Sequence, residues 1–428
     1  MSGIVGFFNV KEKIMNSQEI LMNMNNKLMH RGSDKDGYYI GDNIALGFRT
    51  ILCGDNQPIS FNFEGNTYVI VYDGNIYNLK ELKLELEQYD FCFSTNSDAE
   101  VILKGYIHFR ESFVNKLNGV FAFAIFDQNQ NSLFIARDHF GIKPFYYTII
   151  NNTFVFASEI KALFQFPNVN PKMDSMGICE LIGIGPAHTP GVTVFKDIYE
   201  IKPAHYGIYN DGGFHSKSYW KLISKPHTDS LGKTCETIKY LLEDSIKKQL
   251  VSDLPVCSFL SGGLDSSIIS LYAANYYKVN DLKPLDTYSV DYVDNDKNFV
   301  KSDFQPNSDN YYIELMSKRL YSEHHNIVLD TPELADALEA AMIARDVPGM
   351  ADIDSSLLLF CKNVKPEASI ALTGECADEI FAGYPWFFRE DALSSNTFPW
   401  SIAIQERQTL LNNQISEKVD LKAYIDYR

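Results

Sequence analysis

Hydrophobic positions change their spacing about halfway along the chain. Before about residue 205, short apolar runs are broken by turns, which is typical of β-strands. Strands are predicted over residues 68–72, 119–126, 133–136, 146–150 and 153–156. Helices are predicted around residues 17–29 and 97–109. This half is therefore predicted to be an α+β sandwich of sheets with flanking helices.

After about residue 205, strands alternate with helices. Strands are predicted over residues 256–260, 287–292 and 369–373. A helix over residues 234–250 is predicted to have one apolar face, made of Ile238, Leu241, Leu242, Ile246 and Leu250. Another helix is predicted to begin with Thr331 as its N-cap and to turn inward Leu334, Leu338 and Met342. Such alternation favours a parallel sheet that binds ligands at the carboxyl ends of its strands.

Composition and charge narrow the range of functions. The 428 residues are 45% hydrophobic and 22% charged, which is typical of a globular protein, and we predict two domains, residues 1–205 and 206–428. A net charge of −17 argues against nucleic acid as a partner. No membrane span or signal peptide is predicted. The seven cysteines are expected to be reduced core residues of a cytoplasmic protein and lie at positions 53, 92, 179, 235, 257, 361 and 376.

A loop rich in glycine and serine follows the apolar strand that ends at Leu260. It contains Ser261, Gly262, Gly263, Asp265 and Ser266. Glycines let the backbone approach an anion, and serine hydroxyls and the N–H groups at a helix start donate hydrogen bonds to it. The Asp265 carboxylate would repel a triphosphate unless a divalent cation lay between them, which predicts Mg²⁺. The alternative is an ordinary glycine turn, and no Walker-type lysine follows the glycines.

A second cluster of polar residues follows the strand predicted to end at Thr373. Gly374 is followed by three carboxylates within five residues, those of Glu375, Asp378 and Glu379. Because the carboxyl ends of parallel strands meet at one edge of a sheet, Asp378 is predicted to share Mg²⁺ with Asp265, and Glu375 to act as a general base. The alternative is a solvated acidic helix start, which the helix dipole stabilises.

On these residues the chain resembles the glutamine-dependent asparagine synthetases. Residues 260–267 are similar to the family's pyrophosphate loop, residues 289–290 to the strand beside adenine, and residues 373–384 to its acidic motif. Further motifs of the family match residues 30–34, 137–144 and 156–163. The resemblance implies an N-terminal-nucleophile glutaminase domain, an αββα sandwich, followed by an α/β ATP-pyrophosphatase domain with a parallel sheet.

The resemblance also implies the chemistry. In this family ATP and a carboxylate form an acyl-adenylate and pyrophosphate, and ammonia from glutamine then displaces AMP. ATP and Mg²⁺ are thus the implied cofactors, and aspartate or another carboxylate, with glutamine or ammonia, the implied small-molecule substrates. The implied ATP-binding residues are Leu260, Ser261, Gly262, Gly263, Asp265, Ser266, Val290, Thr373 and Gly374. Asp265 and Asp378 would bind Mg²⁺, and Glu375 would support adenylate formation or amine attack. A homodimer is left open.

The chain departs from the family at the catalytic residues of the glutaminase site. Ser2 stands where the family has a cysteine that is exposed when the initiator methionine is removed, and a serine hydroxyl offers essentially no anion at neutral pH. Asp73, Gly74 and Asn75 stand where the family has Asn-Gly-Glu. A carboxylate at position 73 cannot donate the hydrogen bond that an oxyanion needs. Glutamine hydrolysis is therefore expected to be impaired, whether Ser2 is natural or introduced.

Other parts of the family pattern are kept or cut short. Arg49 and Asp98 remain where the family holds the α-carboxylate and the amine of glutamine. The alternative for these two residues is a surface salt bridge.

The sequence stops at Arg428, soon after the acidic motif, whereas family members continue into a helical segment that carries further cations. The expectation is either a fragment or an incomplete synthetase.

The leading hypothesis is an ATP-dependent amide-forming ligase that uses ammonia or another amine. Residues 346–356 resemble a segment of asparagine synthetases, so aspartate is the leading substrate. The alternatives are a cyclase that uses an internal amine, a non-catalytic protein that binds nucleotide or glutamine, and a tRNA-modifying enzyme. The acidic charge and the absence of a Lys/Arg cluster disfavour the last of these.

Overall fold

The chain folds into two compact units. A computed structural model describes residues 2–51, 56–252, 254–301 and 307–427. The first unit comprises Met1–Ser224 and Leu411–Leu421, and the second comprises Lys225–Leu410 and Lys422–Arg428. Within the described ranges, no helix is both long and apolar enough to cross a membrane.

The first unit is built on two antiparallel sheets. Its strands are β1 (Ser2–Asn9), β2 (Lys35–Ile40), β3 (Ile44–Thr50), β4 (Ile59–Phe63), β5 (Asn66–Ile76), β6 (Gly119–Asp127), β7 (Ser132–Arg137), β8 (Tyr146–Ile150), β9 (Thr153–Ala157), β10 (Tyr199–Glu200), β11 (His205–Asn210) and β12 (Gly213–Ser218). The strand order is β10-β8-β9-β1-β3-β2 in one sheet and β12-β11-β7-β6-β5-β4 in the other. Its helices are α1 (Ser17–Asn26), α2 (Leu79–Glu87), α3 (Asp98–Phe109), α4 (Ile160–Leu163) and α5 (Ser175–Ile178).

Apolar side chains stack these elements into an αββα sandwich. Phe8 of one sheet and Val71 of the other lie in a single buried cluster between the sheets. On the outer faces, Leu21 of α1 packs under the first sheet and Val101 of α3 packs over the second. The strands and helices predicted for this half are present, and the predicted fold class is confirmed.

The first unit extends past the position where the sequence changes character. The prediction placed the domain boundary at residue 205, but β11 and β12 form a hairpin, and β11 pairs with β7 of the second sheet. The hairpin therefore lies in the first unit, which continues to Ser224.

The second unit contains the predicted parallel sheet. Its strands are β13 (Val256–Phe259), β14 (Leu285–Tyr292), β15 (Ser322–Leu329) and β16 (Ile370–Leu372). They lie in the order β15-β14-β13-β16, and each neighbouring pair is parallel. β15 was not predicted. The remaining helices are α6 (Leu231–Leu250), α7 (Leu264–Val279), α8 (Asn295–Asn298), α9 (Asn310–Ser317), α10 (Thr331–Asp336), α11 (Leu338–Arg345), α12 (Ala351–Val364), α13 (Ala377–Phe381), α14 (Glu390–Leu393), α15 (Ile404–Thr409), α16 (Asn413–Ser416) and α17 (Leu421–Tyr427). Of these, α16 lies in the C-terminal segment of the first unit.

Two helical faces differ from the prediction. On α6, Ile246 and Leu250 are buried as predicted, but Leu241 is exposed. On α11, Leu338 and Met342 are exposed, whereas Ala341 and the N-cap residue Ala337 are buried. Two rows of apolar residues run along α11, and their spacing in the sequence does not determine which row is buried against the rest of the unit.

The start of α10 and the cysteines also differ from the prediction. The N-cap is Asp330, not Thr331, because Asp330 and Glu333 form a capping box across the first turn.

Cys179 and Cys257 are buried, as expected of core residues. The prediction is wrong for four other free thiols, which are exposed at positions 92, 235, 361 and 376. Position 53 lies outside the described residues.

Candidate functional site

The loop between β13 and α7 leaves a helix N-terminus open. Gly262 has a φ of 81°, in the left-handed region that favours glycine, and this turns the chain into the helix. Gly263 is the N-cap of α7 and offers no side chain to the first-turn N–H groups. Those groups and the positive end of the helix dipole are therefore free to bind an anion.

Serine hydroxyls fix the shape of this loop. The Ser261 and Ser266 Oγ atoms are 2.9 Å apart, and the Ser261 N–H donates to Ser266 Oγ at 3.2 Å. Ser266 Oγ in turn donates to the Gly263 carbonyl at 3.2 Å. Ser266 is buried whereas Ser261 is exposed. The hydrogen bonds hold the loop from beneath, and its outer surface is accessible to solvent.

The acidic segment after β16 packs directly on this loop. A Cβ at Gly374 would lie 2.9 Å from the Ser266 backbone N and 3.0 Å from Asp265 Cβ, so this approach requires glycine. Thr373 Oγ1 accepts the Glu375 N–H at 3.3 Å, and the Glu375 side chain is exposed. Two loops that are distant in sequence thus meet at the carboxyl edge of the sheet, as predicted.

The electrostatics of Asp265 fit a cation between two carboxylates. Burial and the charge of Asp378 raise the pKa of Asp265 above its usual range. Among the described residues, no cationic side chain offsets the effect of Asp378 on Asp265, and no group of three or more metal-binding side chains is preformed. Asp265 and Asp378 therefore repel each other, and a divalent cation that arrives with a polyphosphate would relieve the repulsion.

Three strand ends bring the predicted nucleotide contacts to the same edge of the sheet. Leu260 is buried, and its N–H donates to the Tyr288 carbonyl at 2.8 Å. Val290, near the end of β14, and Thr373, just after β16, are half-buried. Because β13 pairs in parallel with both β14 and β16, these ends point in one direction.

Cys376, between the two acidic positions, has strained backbone geometry. Its φ is 72°, and it is the N-cap of α13. A residue with a side chain in the left-handed region destabilises the folded state by about 1 kcal/mol. Glycine removes this strain, but it also increases the conformational entropy of the unfolded chain, which cancels part of the gain. We expect Cys376→Gly to raise the free energy of unfolding by about 0.5–1 kcal/mol in urea titrations. Cys361→Gly, inside α12, should lower it by a similar amount, and a loss of stability in both variants would contradict the strain.

In the first unit, a buried charge cluster surrounds the predicted nucleophile position. Ser2 begins β1, opposite Thr50 of β3, and its carbonyl accepts a hydrogen bond from Arg31 Nε at 2.9 Å. Arg31 also reaches Asp73 on β5, with 3.1 Å between Nη2 and Oδ2. Lys143 Nζ lies 3.1 Å from the other oxygen of Asp73. Asp73 is 1% exposed, so this carboxylate is held between two cations.

Glu159 completes the cluster on the other side of Arg31. Arg31 Nη1 donates to Glu159 Oε1 at 3.1 Å, His30 Nε2 lies 2.9 Å from the same oxygen, and Lys161 contacts Oε2. Burial raises the pKa of Glu159, but hydrogen bonds from His30 and Lys161 and the nearby cations outweigh burial and lower it to about 2. Burial likewise acts to lower the pKa of Arg31, and the two carboxylates, led by Asp73, raise it overall.

The sequence reasoning assigned no role to Arg31, Lys143 or Glu159. Each lies in one of the N-terminal motifs that carried the resemblance. The presence of charged residues in all three motifs was the available signal, but only the folded chain brings Arg31, Lys143 and Glu159 together around Asp73 and Ser2.

Of the remaining predicted residues of this unit, Arg49 and Asp98 hold backbone groups. Arg49 is buried, donates to the Asn25 carbonyl at 2.8 Å and lies 3.7 Å from the exposed Asp36. Asp98 accepts the Tyr72 hydroxyl at 2.7 Å and the N–H of residue 76 at 2.9 Å. Gly74 is required by space, because a Cβ would lie 2.4 Å from the carbonyl of residue 120. Asn75 is exposed.

Comparisons with known proteins match both units. The model of the glutamine amidotransferase domain matches residues 1–220, and that of asparagine synthase matches residues 237–428. Asparagine synthetase [glutamine-hydrolyzing] 3 of Bacillus subtilis is 42% identical to the chain, over 100% of the chain and 70% of its own length. Asparagine synthetases 1 and 2 of the same organism are 34% and 31% identical, each over 90% of the chain. The chain spans 59% and 52% of those two relatives.

Proposed function

This chain belongs to the asparagine synthetase family, and from that membership we propose that it uses ATP to convert a carboxylate into an amide. Aspartate is the proposed substrate. Its carboxylate oxygen attacks the α-phosphorus of ATP, and pyrophosphate leaves with the electron pair of the broken P–O bond. Ammonia then attacks the acyl carbon and AMP leaves, so that asparagine forms.

The contact between the phosphate loop and the acidic segment is the observation that carries this proposal. Gly374 packs on Asp265 and Ser266, beside the open N-terminus of α7. We assign the pyrophosphate contacts to Ser261, Gly262, Gly263 and Ser266. Leu260, Val290, Thr373 and Gly374 would surround the rest of the nucleotide.

Asp265 and Asp378 are the proposed Mg²⁺ residues. Their mutual repulsion, without a cationic partner in the described part of the chain, is what a divalent ion would neutralise. When bound, Mg²⁺ would neutralise charge on the leaving pyrophosphate. Glu375 is exposed at the same edge of the sheet, and we propose that it accepts a proton from the attacking amine.

The first unit is proposed to have lost efficient glutamine hydrolysis. Ser2 is a weak nucleophile, and the side chain of Asp73 lies between Arg31 and Lys143, where an oxyanion would need a hydrogen-bond donor. Arg49, Asn75 and Asp98 would remain as a glutamine-binding remnant. Free ammonia is therefore the proposed nitrogen source. We also propose that the protein is cytoplasmic and forms a homodimer.

Exchange of labelled pyrophosphate into ATP tests the proposed activation step. We expect exchange that requires both aspartate and Mg²⁺. Asparagine should then form with ammonium but not measurably with glutamine at equal concentration. Exchange with a carboxylate other than aspartate would favour the cyclase alternative. Nucleotide binding without any exchange would favour a non-catalytic protein.

A further inference from the structure

Asp291 joins three segments at the carboxyl end of β14. Its Oδ1 accepts the N–H of Tyr292 at 2.8 Å and the side-chain amide of Asn295 at 2.7 Å. Its Oδ2 accepts the side-chain amide of Asn310, the first residue of α9, at 2.9 Å. One carboxylate therefore connects the end of β14 to both α8 and α9.

The helix held by this carboxylate packs against the phosphate loop at Gly262. A Cβ at Gly262 would lie 3.0 Å from the Asp309 carbonyl, 3.0 Å from Tyr312 Cβ and 3.1 Å from the Ile313 N. These atoms belong to the first turn of α9 and to the residue before it. The left-handed turn at Gly262 is thus backed by the part of α9 that Asn310 anchors.

We propose that Asp291 and Asn310 are positioning residues for the phosphate loop. By holding the first turn of α9 behind Gly262, they keep the loop in the conformation that presents its N–H groups to pyrophosphate. Both oxygens of Asp291 already accept N–H donors, so Asp291 acts through Asn310 rather than as a ligand of the metal. This inference rests on the proposed function of the loop.

The hydrogen bond between Asn310 and Asp291 can be tested by exchanging its donor and its acceptor. Asn310→Asp places two carboxylates face to face, whereas the double variant Asp291→Asn/Asn310→Asp restores one donor and one acceptor. The residues are half-exposed to exposed, so we expect Asn310→Asp to weaken ATP binding by about threefold to fivefold, and the double variant to recover most of it. The measurement is the Kd for ATP with Mg²⁺ by isothermal titration calorimetry.

Glu314→Gln is the matched control. It removes the ion pair between Glu314 and Lys318, which lies further along α9 than Asn310 and does not involve Asp291. Thermal unfolding should show a comparable small loss in both single variants, but only Asn310→Asp should change the Kd. A role confined to helix stability would instead weaken binding in Glu314→Gln as well.

The outcomes separate this inference from the function on which it rests. If the wild-type chain binds no ATP, the proposed function itself fails. If the wild type binds ATP and Asn310→Asp binds it equally well, or the double variant does not recover, only the positioning role is overturned.

Discussion

Ser2→Cys alone should leave the chain a poor glutaminase, and adding Asp73→Asn should raise the rate of glutamine hydrolysis by about 100-fold or more. A cysteine at position 2 supplies the thiolate that a serine lacks. The carboxylate of Asp73, however, lies between Arg31 and Lys143 and cannot donate to an oxyanion. An asparagine there offers an amide donor and frees Lys143 from its counterion. Glutamate release at saturating glutamine measures the effect.

A matched control separates the new donor from the loss of a buried charge. Asp127 is also fully buried, pairs with Arg110 at 3.0 Å and lies on β6. Ser2→Cys/Asp127→Asn removes a comparable carboxylate without creating an oxyanion donor, so its rate should stay that of Ser2→Cys. Equal activity in all the Ser2→Cys variants would refute a blocking role for Asp73.

The gain in hydrolysis should come with a loss of stability. Asp73→Asn leaves Lys143 without its carboxylate and Arg31 with Glu159 alone. Removing one partner of a buried ion pair costs about 3–5 kcal/mol, and the partial exposure of Lys143 reduces this to about 1–3 kcal/mol. The ion pairs around Asp73 thus stabilise the pocket that we propose to have lost efficient glutamine hydrolysis.

Local patterns were sufficient to predict much of the fold. The strand preceding Gly262 and the helix following it were predicted from apolar runs and turn residues, and the parallel sheet from their alternation. Parallel strands then place Thr373 and Asp378 at the edge that holds Asp265, which is why this part of the candidate site could be predicted from the sequence.

Contacts between distant residues were not predictable in the same way. Nothing local connects Arg31 or Lys143 with Asp73, and the ion pairs exist only because the β-sandwich brings their strands and loops together. The prediction of which helix faces are buried was wrong for a related reason. Leu338 and Met342 have the spacing of a buried face, but tertiary packing covers the neighbouring alanines instead.

Asp265→Asn should reduce pyrophosphate exchange by about 100-fold or more, and Asp378→Asn should have a similar effect, because each removes half of the negative charge that would hold Mg²⁺. The exchange rate over a range of Mg²⁺ concentrations measures the loss. Asp336→Asn, which changes an exposed carboxylate of α10, should leave exchange unchanged. Full exchange in Asp265→Asn would contradict its role as a metal ligand.

The same substitution should make the ligand-free protein slightly more stable. Burial and Asp378 raise the pKa of Asp265, so its ionised form costs free energy in the folded state at neutral pH. Asp265→Asn removes that cost, and we expect the melting temperature at pH 7 to rise by about 1–2 °C. As the pH falls through the raised pKa of Asp265, the wild type becomes protonated and the difference should disappear. A substitution that lowers activity and raises stability identifies a carboxylate that serves to bind a ligand. Removal of a structural carboxylate would instead lower both activity and stability.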